Sequence, residues 1–185
     1  MFSASDLRKG LKVEVDGHPY VITEYNFVKP GKGQAIYTCR IKSMIDGSTQ
    51  VKQYRSNDKL DKPQLEEKSL VYSYKDGENY VFMDDNYEQV LLSEKTLGDQ
   101  RYFLKEEIEV SVLFHNGNAI GIELPIFVER KIIHTEPGAR GNTATNVMKP
   151  ATIEGGFELP VPLFVNEGEV IRIDTRTGEY SERVR

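Results

Sequence analysis

The chain has a single cysteine, Cys39, so no internal disulfide can form, and a reducing cytoplasm is the expected setting. Cys39 stands in a strand-like run, Ile36-Tyr37-Thr38-Cys39-Arg40-Ile41, and is expected to be a packed, inert thiol. No stretch approaches the roughly 18 apolar residues of a membrane span, so no membrane partner is expected. The opening, Met1-Phe2-Ser3-Ala4-Ser5-Asp6, lacks a basic region leading into an apolar core, and no signal peptide is expected. Three histidines, His18, His115 and His134, lie in separate segments, none with a second Cys or His at metal-ligand spacing. The sequence therefore predicts neither a metal nor a bound cofactor. His18, between Asp16-Gly17 and Pro19, reads as a turn histidine. Asp84-Asp85 and Glu106-Glu107 read as solvated charges rather than an acid and base pair. Serine and threonine are abundant, but no nucleophile elbow surrounds any of them. An enzyme is not expected.

What charge there is, is unevenly spread. The net charge of −5 argues against a generic nucleic-acid coat. Residues 1–63 carry 11 Lys and Arg against 7 Asp and Glu, a balance of +4. Residues 64–126 carry 5 against 13, or −8, and residues 127–185 carry 8 against 9, or −1. An RNA-facing surface is expected on the first third. The middle third would be repelled by phosphate, which suits a segment turned away from RNA, turned toward basic protein, or simply solvated.

The pattern is β nearly throughout. Val13–Val15 turns at Asp16-Gly17 into His18–Val28, then Gln34–Met44, and Asp46-Gly47 leads into Ser48–Arg55. Lys62-Pro63 breaks the run, because proline lacks a donor and restricts its neighbour. Strands are predicted over Leu70–Lys75, Tyr80–Met83 and Tyr87–Leu91, with a short helix over Ser93–Leu97 capped by Ser93. Ile108–Phe114 and Ala119–Leu124 flank Asn116-Gly117, and Pro125 marks a second boundary. Val128–Thr135, a Gly-rich loop at Gly138–Asn146, Ala151–Gly155, Glu158–Val161, Val170–Thr175 and Tyr180–Arg183 complete the chain. Three β units of similar length follow, at 1–63, 64–126 and 127–185. Many short strands with Gly and Pro turns favour small barrels over one sandwich.

One loop has the composition of a working tip. In Phe27-Val28-Lys29-Pro30-Gly31-Lys32-Gly33-Gln34-Ala35, Pro30 is a poor strand member, and Gly31 and Gly33 permit backbone angles closed to other residues. Lys32 is the only long side chain between them and is expected to project into solvent. A P-loop needs Gly, four residues, then Gly-Lys-Ser/Thr opening a helix, which this is not. A Schiff-base lysine needs a desolvated pocket, which a Gly-flanked tip does not offer. On these residues alone a solvated turn with an incidental lysine is the favoured reading.

Lys29-Pro30-Gly31-Lys32-Gly33-Gln34-Ala35 resembles the first-domain tip of bacterial elongation factor P. The likeness continues through Asp6-Leu7-Arg8-Lys9-Gly10-Leu11, Tyr80-Val81-Phe82-Met83-Asp84, Tyr87-Glu88-Gln89 and Thr135-Glu136-Pro137-Gly138. It extends over Lys149-Pro150-Ala151, Gly156, Val161-Pro162-Leu163-Phe164-Val165, Gly168 and Asp174-Thr175-Arg176-Thr177-Gly178-Glu179-Tyr180. Several ordered motifs over the full length are more specific than any one of them.

The resemblance implies an all-β chain: an SH3-like (KOW-like) N-terminal barrel and two OB-fold barrels in an L-shaped, tRNA-like arrangement. It implies a monomeric translation factor that binds the 70S ribosome between the P and E sites and relieves stalling at consecutive prolines. The tip, with Lys29, Gly31, Lys32 and Gly33, would meet the CCA end of peptidyl-tRNA. A lysine-modifying enzyme would extend Lys32 covalently, as the related initiation factor of archaea and eukaryotes carries hypusine at its tip. In the third domain the family's Gly-Asp-Thr loop near the E-site mRNA codon reads Gly141-Asn142-Thr143 here. Asn142 keeps an acceptor, gains donors and loses the charge. Tyr180 and Arg183 match positions that the family uses on the small ribosomal subunit. The competing readings are a paralogue of elongation factor P with another target and a general RNA-binding OB-fold protein. The latter is disfavoured because Tyr72, Tyr74, Tyr80 and Tyr87 fall in the acidic third, where RNA would not stack.

Overall fold

The computed structural model describes residues 1–138 and 147–185. In the first stretch β1 (Phe2–Ser3) enters a 3₁₀ turn at Ala4–Asp6, followed by β2 (Lys12–Val15), β3 (His18–Val28), β4 (Ile36–Ser43), β5 (Thr49–Arg55) and β6 (Lys59–Leu60). β2 to β5 form an antiparallel meander in that order, and β1 pairs with β6. Asp16 and Gly17 both take positive φ, 52° and 80°, which gives the two-residue turn whose twist suits a hairpin. Val13, Ile22, Cys39 and Ile41 are fully buried among Ala4, Leu7, Leu11 and Leu60 and form the first core. Burial pushes the Cys39 thiol above its ordinary pKa, as expected for an inert packed cysteine.

A bulge in β3 decides what the rest of that strand presents. Ile22 pairs with Ile41 and Glu24 with Arg40, so Thr23 is the extra residue. Strict alternation from Ile22 would aim Glu24 and Asn26 at the core. The inserted residue reverses the parity and aims Tyr25 and Phe27 there instead.

The middle stretch comprises β7 (Leu65–Asp76), β8 (Asn79–Met83), β9 (Gln89–Ser93), α1 (Glu94–Leu97), a 3₁₀ segment at Gly98–Phe103, β10 (Glu109–His115) and β11 (Asn118–Glu123). The strands form one sheet in the order β11-β10-β7-β8-β9. Ser93 caps α1 as expected, its hydroxyl oxygen accepting from the Thr96 N–H at 3.1 Å. β9 starts later than the predicted Tyr87. Asp84 Oδ1 accepts from the N–H groups of Asn86 and Glu88, and Tyr87 takes φ 61°, so these residues close a turn.

The last stretch holds β12 (Phe127–Thr135), β13 (Met148–Ile153), β14 (Glu158–Pro162), β15 (Val170–Asp174) and β16 (Glu179–Arg183), ordered β14-β13-β12-β15-β16. β13 begins at Met148, earlier than the predicted Ala151, and runs through Pro150. Pro150 faces Pro160 directly, and two opposed prolines fit a pair that exchanges no ladder bonds. The Pro150 carbonyl accepts from the Thr135 hydroxyl at 2.9 Å. Among the described residues the chain is all-β apart from α1 and the 3₁₀ segments, as the sequence predicts.

Each sheet lies within one of the stretches 1–63, 64–126 and 127–185. By packing, the chain forms two compact units, Met1–Lys68 with Val112–Gly121, and Ser69–Ser111 with Ile122–Arg185. In the first unit His115 is buried at the β10–β11 turn, its Nε2 3.6 Å from Glu14 Oε1. In the second, the buried Arg130 of β12 donates to the carbonyl oxygens of Phe103 and Glu129. Phe157 meets Phe103 edge-on at 5.1 Å, and Glu154 accepts from the Lys131 N–H at 3.1 Å while pairing with Lys105 at 3.4 Å.

Candidate functional site

The tip expected from the sequence is the loop Lys29–Ala35 between β3 and β4, whose ladder ends at the pair Val28↔Ile36. Lys29, Pro30, Gly31, Lys32, Gly33 and Gln34 are all exposed, and Ala35 is buried at the base. Among the described residues Lys32 has no hydrogen-bond or ion-pair partner, so its ammonium is held only by its own stem. One expectation is corrected. Neither Gly31 nor Gly33 takes a positive φ, so the backbone does not require glycine there. A Cβ at Gly31 would meet nothing within 4 Å, and one at Gly33 would make only ordinary contact with Pro30 at 3.8 Å. The glycines instead keep the two sides of Lys32 bare.

Below the tip the hairpin carries aromatic residues that sequence reading missed. Phe27 pairs with Tyr37 and Tyr37 with Tyr54, while Tyr25 pairs with the buried Cys39 and Cys39 with Lys52. The rings of Phe27 and Tyr37 lie 4.9 Å apart, and those of Tyr25 and Tyr37 6.4 Å apart. Burial raises the pKa of the Tyr25 and Tyr54 hydroxyls, with further upward pressure on Tyr54 from Cys39, Asp58 and Asp16. On the opposite face Arg40 and Glu24 pair at 3.3 Å. The missed signal was the Tyr25-Asn26-Phe27 alternation, hidden by the bulge at Thr23.

The other expected site residues are placed as follows. Gly141, Asn142 and Thr143 lie outside the described residues. Tyr180 and Arg183 both stand on β16 and line one surface depression of about 520 Å³. Tyr180 packs against the core of the last sheet, and burial pushes its hydroxyl upward against the opposing effect of Arg183. The Arg183 guanidinium sits over the exposed Phe164 ring at 4.6 Å and reaches Glu169 at 3.5 Å. Tyr180 and Arg183 belong to the second compact unit and the tip to the first. Among the described residues no group of three or more His, Cys, Asp or Glu could hold a metal ion, and no helix is long and apolar enough to cross a membrane.

Comparison with known proteins decides the family. Three family models match in succession: the elongation factor P KOW-like domain over residues 3–60, the elongation factor P OB domain over residues 65–122, and the elongation factor P C-terminal domain over residues 128–183. The chain belongs to the elongation factor P family. It is 48% identical to elongation factor P of Desulfotalea psychrophila over 186 residues, covering all of both chains. It is 50% identical to that of Campylobacter jejuni over 183 residues, 98% of this chain and 97% of the relative. Among solved structures it is similar to eukaryotic translation initiation factor 5A from Methanococcus jannaschii, with a TM-score of 0.55 and 21% identity over 66% of this chain and 93% of that one. At that identity the likeness concerns the fold. Membership of the elongation factor P family carries a role in translation elongation, and the KOW-like and OB assignments agree with the small β-barrels read from the strand pattern.

Proposed function

We propose that this elongation factor acts on the 70S ribosome between the P and E sites, where Lys32 steadies the CCA end of peptidyl-tRNA and relieves stalling at consecutive prolines. The observation that carries this reading is the tip itself: an exposed, unpartnered cation between two glycines, at the end of a long paired hairpin. The ribosome supplies the peptidyl-transfer chemistry, so this chain needs no nucleophile or base and acts by positioning. Proline is a constrained substrate, and correct placement of reacting ends is worth up to roughly 7–11 kcal/mol at its limit. An ammonium on a flexible stem serves RNA phosphates as a point charge. The bare flanks of Lys32 allow the backbone of residues 31–33 to approach RNA closely, and Lys29 adds charge at the loop base. A modifying enzyme that lengthened Lys32 with a further amine would extend that reach and add a donor.

Within this reading the chain is a monomer of three domains, 1–63, 64–126 and 127–185. Tyr180, Arg183 and the Gly141-Asn142-Thr143 loop serve the small subunit and the E-site codon. The charge pattern supports the division of labour: the basic first stretch carries the tip, and the acidic middle stretch faces away from phosphate.

The test is translation of a Pro-Pro-Pro reporter in a reconstituted system without other such factors. Protein isolated from its native cells is compared with Lys32→Ala. Relief of the stall by the wild type but not by Lys32→Ala is the expected result. If neither relieves it while both bind ribosomes, the chain is a paralogue with another target.

A further inference from the structure

The core face of the first barrel does not end where the core ends. Cys39 is fully buried, and its row on the sheet is Tyr25, Cys39, Lys52. One row nearer the tip come Phe27, Tyr37 and Tyr54, on the same face. There the described residues leave the rings in part uncovered: Phe27 is 46% exposed and Tyr25 37%. The bulge at Thr23 is what turns them this way. The same parity that puts Tyr25 and Phe27 on this face puts Glu24 on the other, paired with Arg40. The two aromatic rows therefore hold no carboxylate, they contain Lys52, and they lead directly to Lys29 and Lys32.

We infer that Tyr25, Phe27 and Tyr37 form a stacking platform for unpaired bases of the RNA strand whose end meets Lys32, an inference that rests on the reading of the tip given above. Aromatic faces interleaved with basic side chains are how proteins hold single-stranded RNA without reading its sequence. Tyr25 and Phe27 stand two residues apart on one face of a strand, about 6.8 Å. That span matches about two base-stacking steps of 3.4 Å, the separation of a base from the next but one, so the platform suits a short unpaired run. The rows themselves carry no carboxylate, Asp16 and Asp58 acting only on Tyr54 at the far edge, and with the adjoining lysines they favour a phosphate-bearing strand over a protein, for which a cationic rim offers no general advantage. The tyrosines of the middle stretch contrast with this, since Glu106 and Glu107 surround Tyr72 and Tyr87 in one pocket.

The test titrates the full-length chain at low salt into a short single-stranded oligoribonucleotide ending in CCA and carrying a 2-aminopurine base, whose fluorescence falls on stacking. The wild type is expected to quench it. The double variant Tyr25→Leu with Phe27→Leu, which keeps the positions apolar, is expected to lose the quench and to bind roughly thirtyfold more weakly, the effect of two lost base stacks at the low end of their range. Phe27→Tyr is expected to retain both, and an unchanged urea midpoint separates loss of stacking from loss of fold. Lys32→Ala is expected to bind more weakly but still to quench at saturation. Absence of quenching by the wild type, or equal quenching by the double leucine variant, overturns the platform. Unchanged RNA binding by that variant with lost activity on ribosomes also overturns it and assigns the face to a protein partner. Failure of the tip reading shows elsewhere, as full Pro-Pro-Pro activity in Lys32→Ala.

Discussion

At Gly31 and Gly33 the fold would accept a methyl group, because neither φ is positive and no close atom stands in the way. Replacing either by alanine reduces the freedom of the unfolded chain, so Gly31→Ala and Gly33→Ala are expected to leave stability unchanged or raise it by about 0.4–1 kcal/mol in urea unfolding. In the polyproline assay the same variants are expected to lose stimulation, because a methyl beside Lys32 keeps the backbone off the RNA. Full activity in both would show that the tip works through the lysine side chain alone. Gly155 is the opposite case. It takes φ 99°, and a Cβ there would stand 2.8 Å from the Tyr102 carbonyl oxygen. Gly155→Ala is expected to cost about 1–3 kcal/mol in the same measurement, since strained backbone and a close contact coincide. The sequence places Gly31 and Gly33 in a loop and Gly155 at the end of a predicted strand, Ala151–Gly155, which in the structure closes at Ile153. Only the backbone angles separate a glycine kept for a partner from one kept for the fold.

Strand and turn signals made most elements legible. Asp16-Gly17 and Asn116-Gly117 both fold as turns with two positive φ values, as Asx-Gly pairs do. The misses came from tertiary causes. The 3₁₀ segment Gly98–Phe103 has no strong local signature, and it forms where Arg130, 27 positions further along the chain and outside any local window, can reach the Phe103 carbonyl. Thr23 resembles any β-branched strand residue, so the bulge it makes, and the aromatic face that follows, were invisible to alternation. Arg130 itself reads in sequence as an ordinary charge on β12, yet it is only 6% exposed. Burial lowers its pKa from the ordinary value, while the Glu154 carboxylate acts in the other direction. Arg130→Met keeps an apolar stem of similar length but strands the Phe103 carbonyl. It is expected to lose about 1.5–3 kcal/mol by urea unfolding, the worth of a charged hydrogen bond. A loss below 0.5 kcal/mol, by the ordinary scale of surface changes, would mean that the aromatic contact between Phe103 and Phe157 holds these elements together without the arginine.

Among the described residues, four carboxylates spread over the molecule are held below their ordinary pKa by local donors. Asp6 accepts from the backbone N–H and then the hydroxyl of Ser3, both at 2.9 Å. Asp46 accepts from the hydroxyl and N–H of Ser48, and Asp174 from the Arg176 guanidinium at 2.8 and 3.1 Å. For Glu154 burial acts upward, but hydrogen bonds from the Lys131 N–H and Lys105 bring the net shift downward. A depressed carboxylate contributes its stability in full above its unfolded pKa, about 3.9–4.3, and loses it as pH falls through the lower folded value. The unfolding midpoint is therefore expected to stay flat from pH 7 to about 5 and to fall below about 4. Asp174→Asn, which keeps the shape and removes the titration, is expected to flatten part of that fall. An opposing effect is written into the same sequence. The 13 acids against 5 bases of residues 64–126 repel one another, and protonating them relieves that repulsion. A midpoint that rises on acidification would mean that this diffuse repulsion outweighs the four hydrogen-bonded carboxylates. Short-range bonds at 2.7–3.1 Å should prevail over charges spread on a solvated surface, where salt screens them within about 10 Å, so the fall is expected to steepen at high ionic strength as the repulsive share disappears.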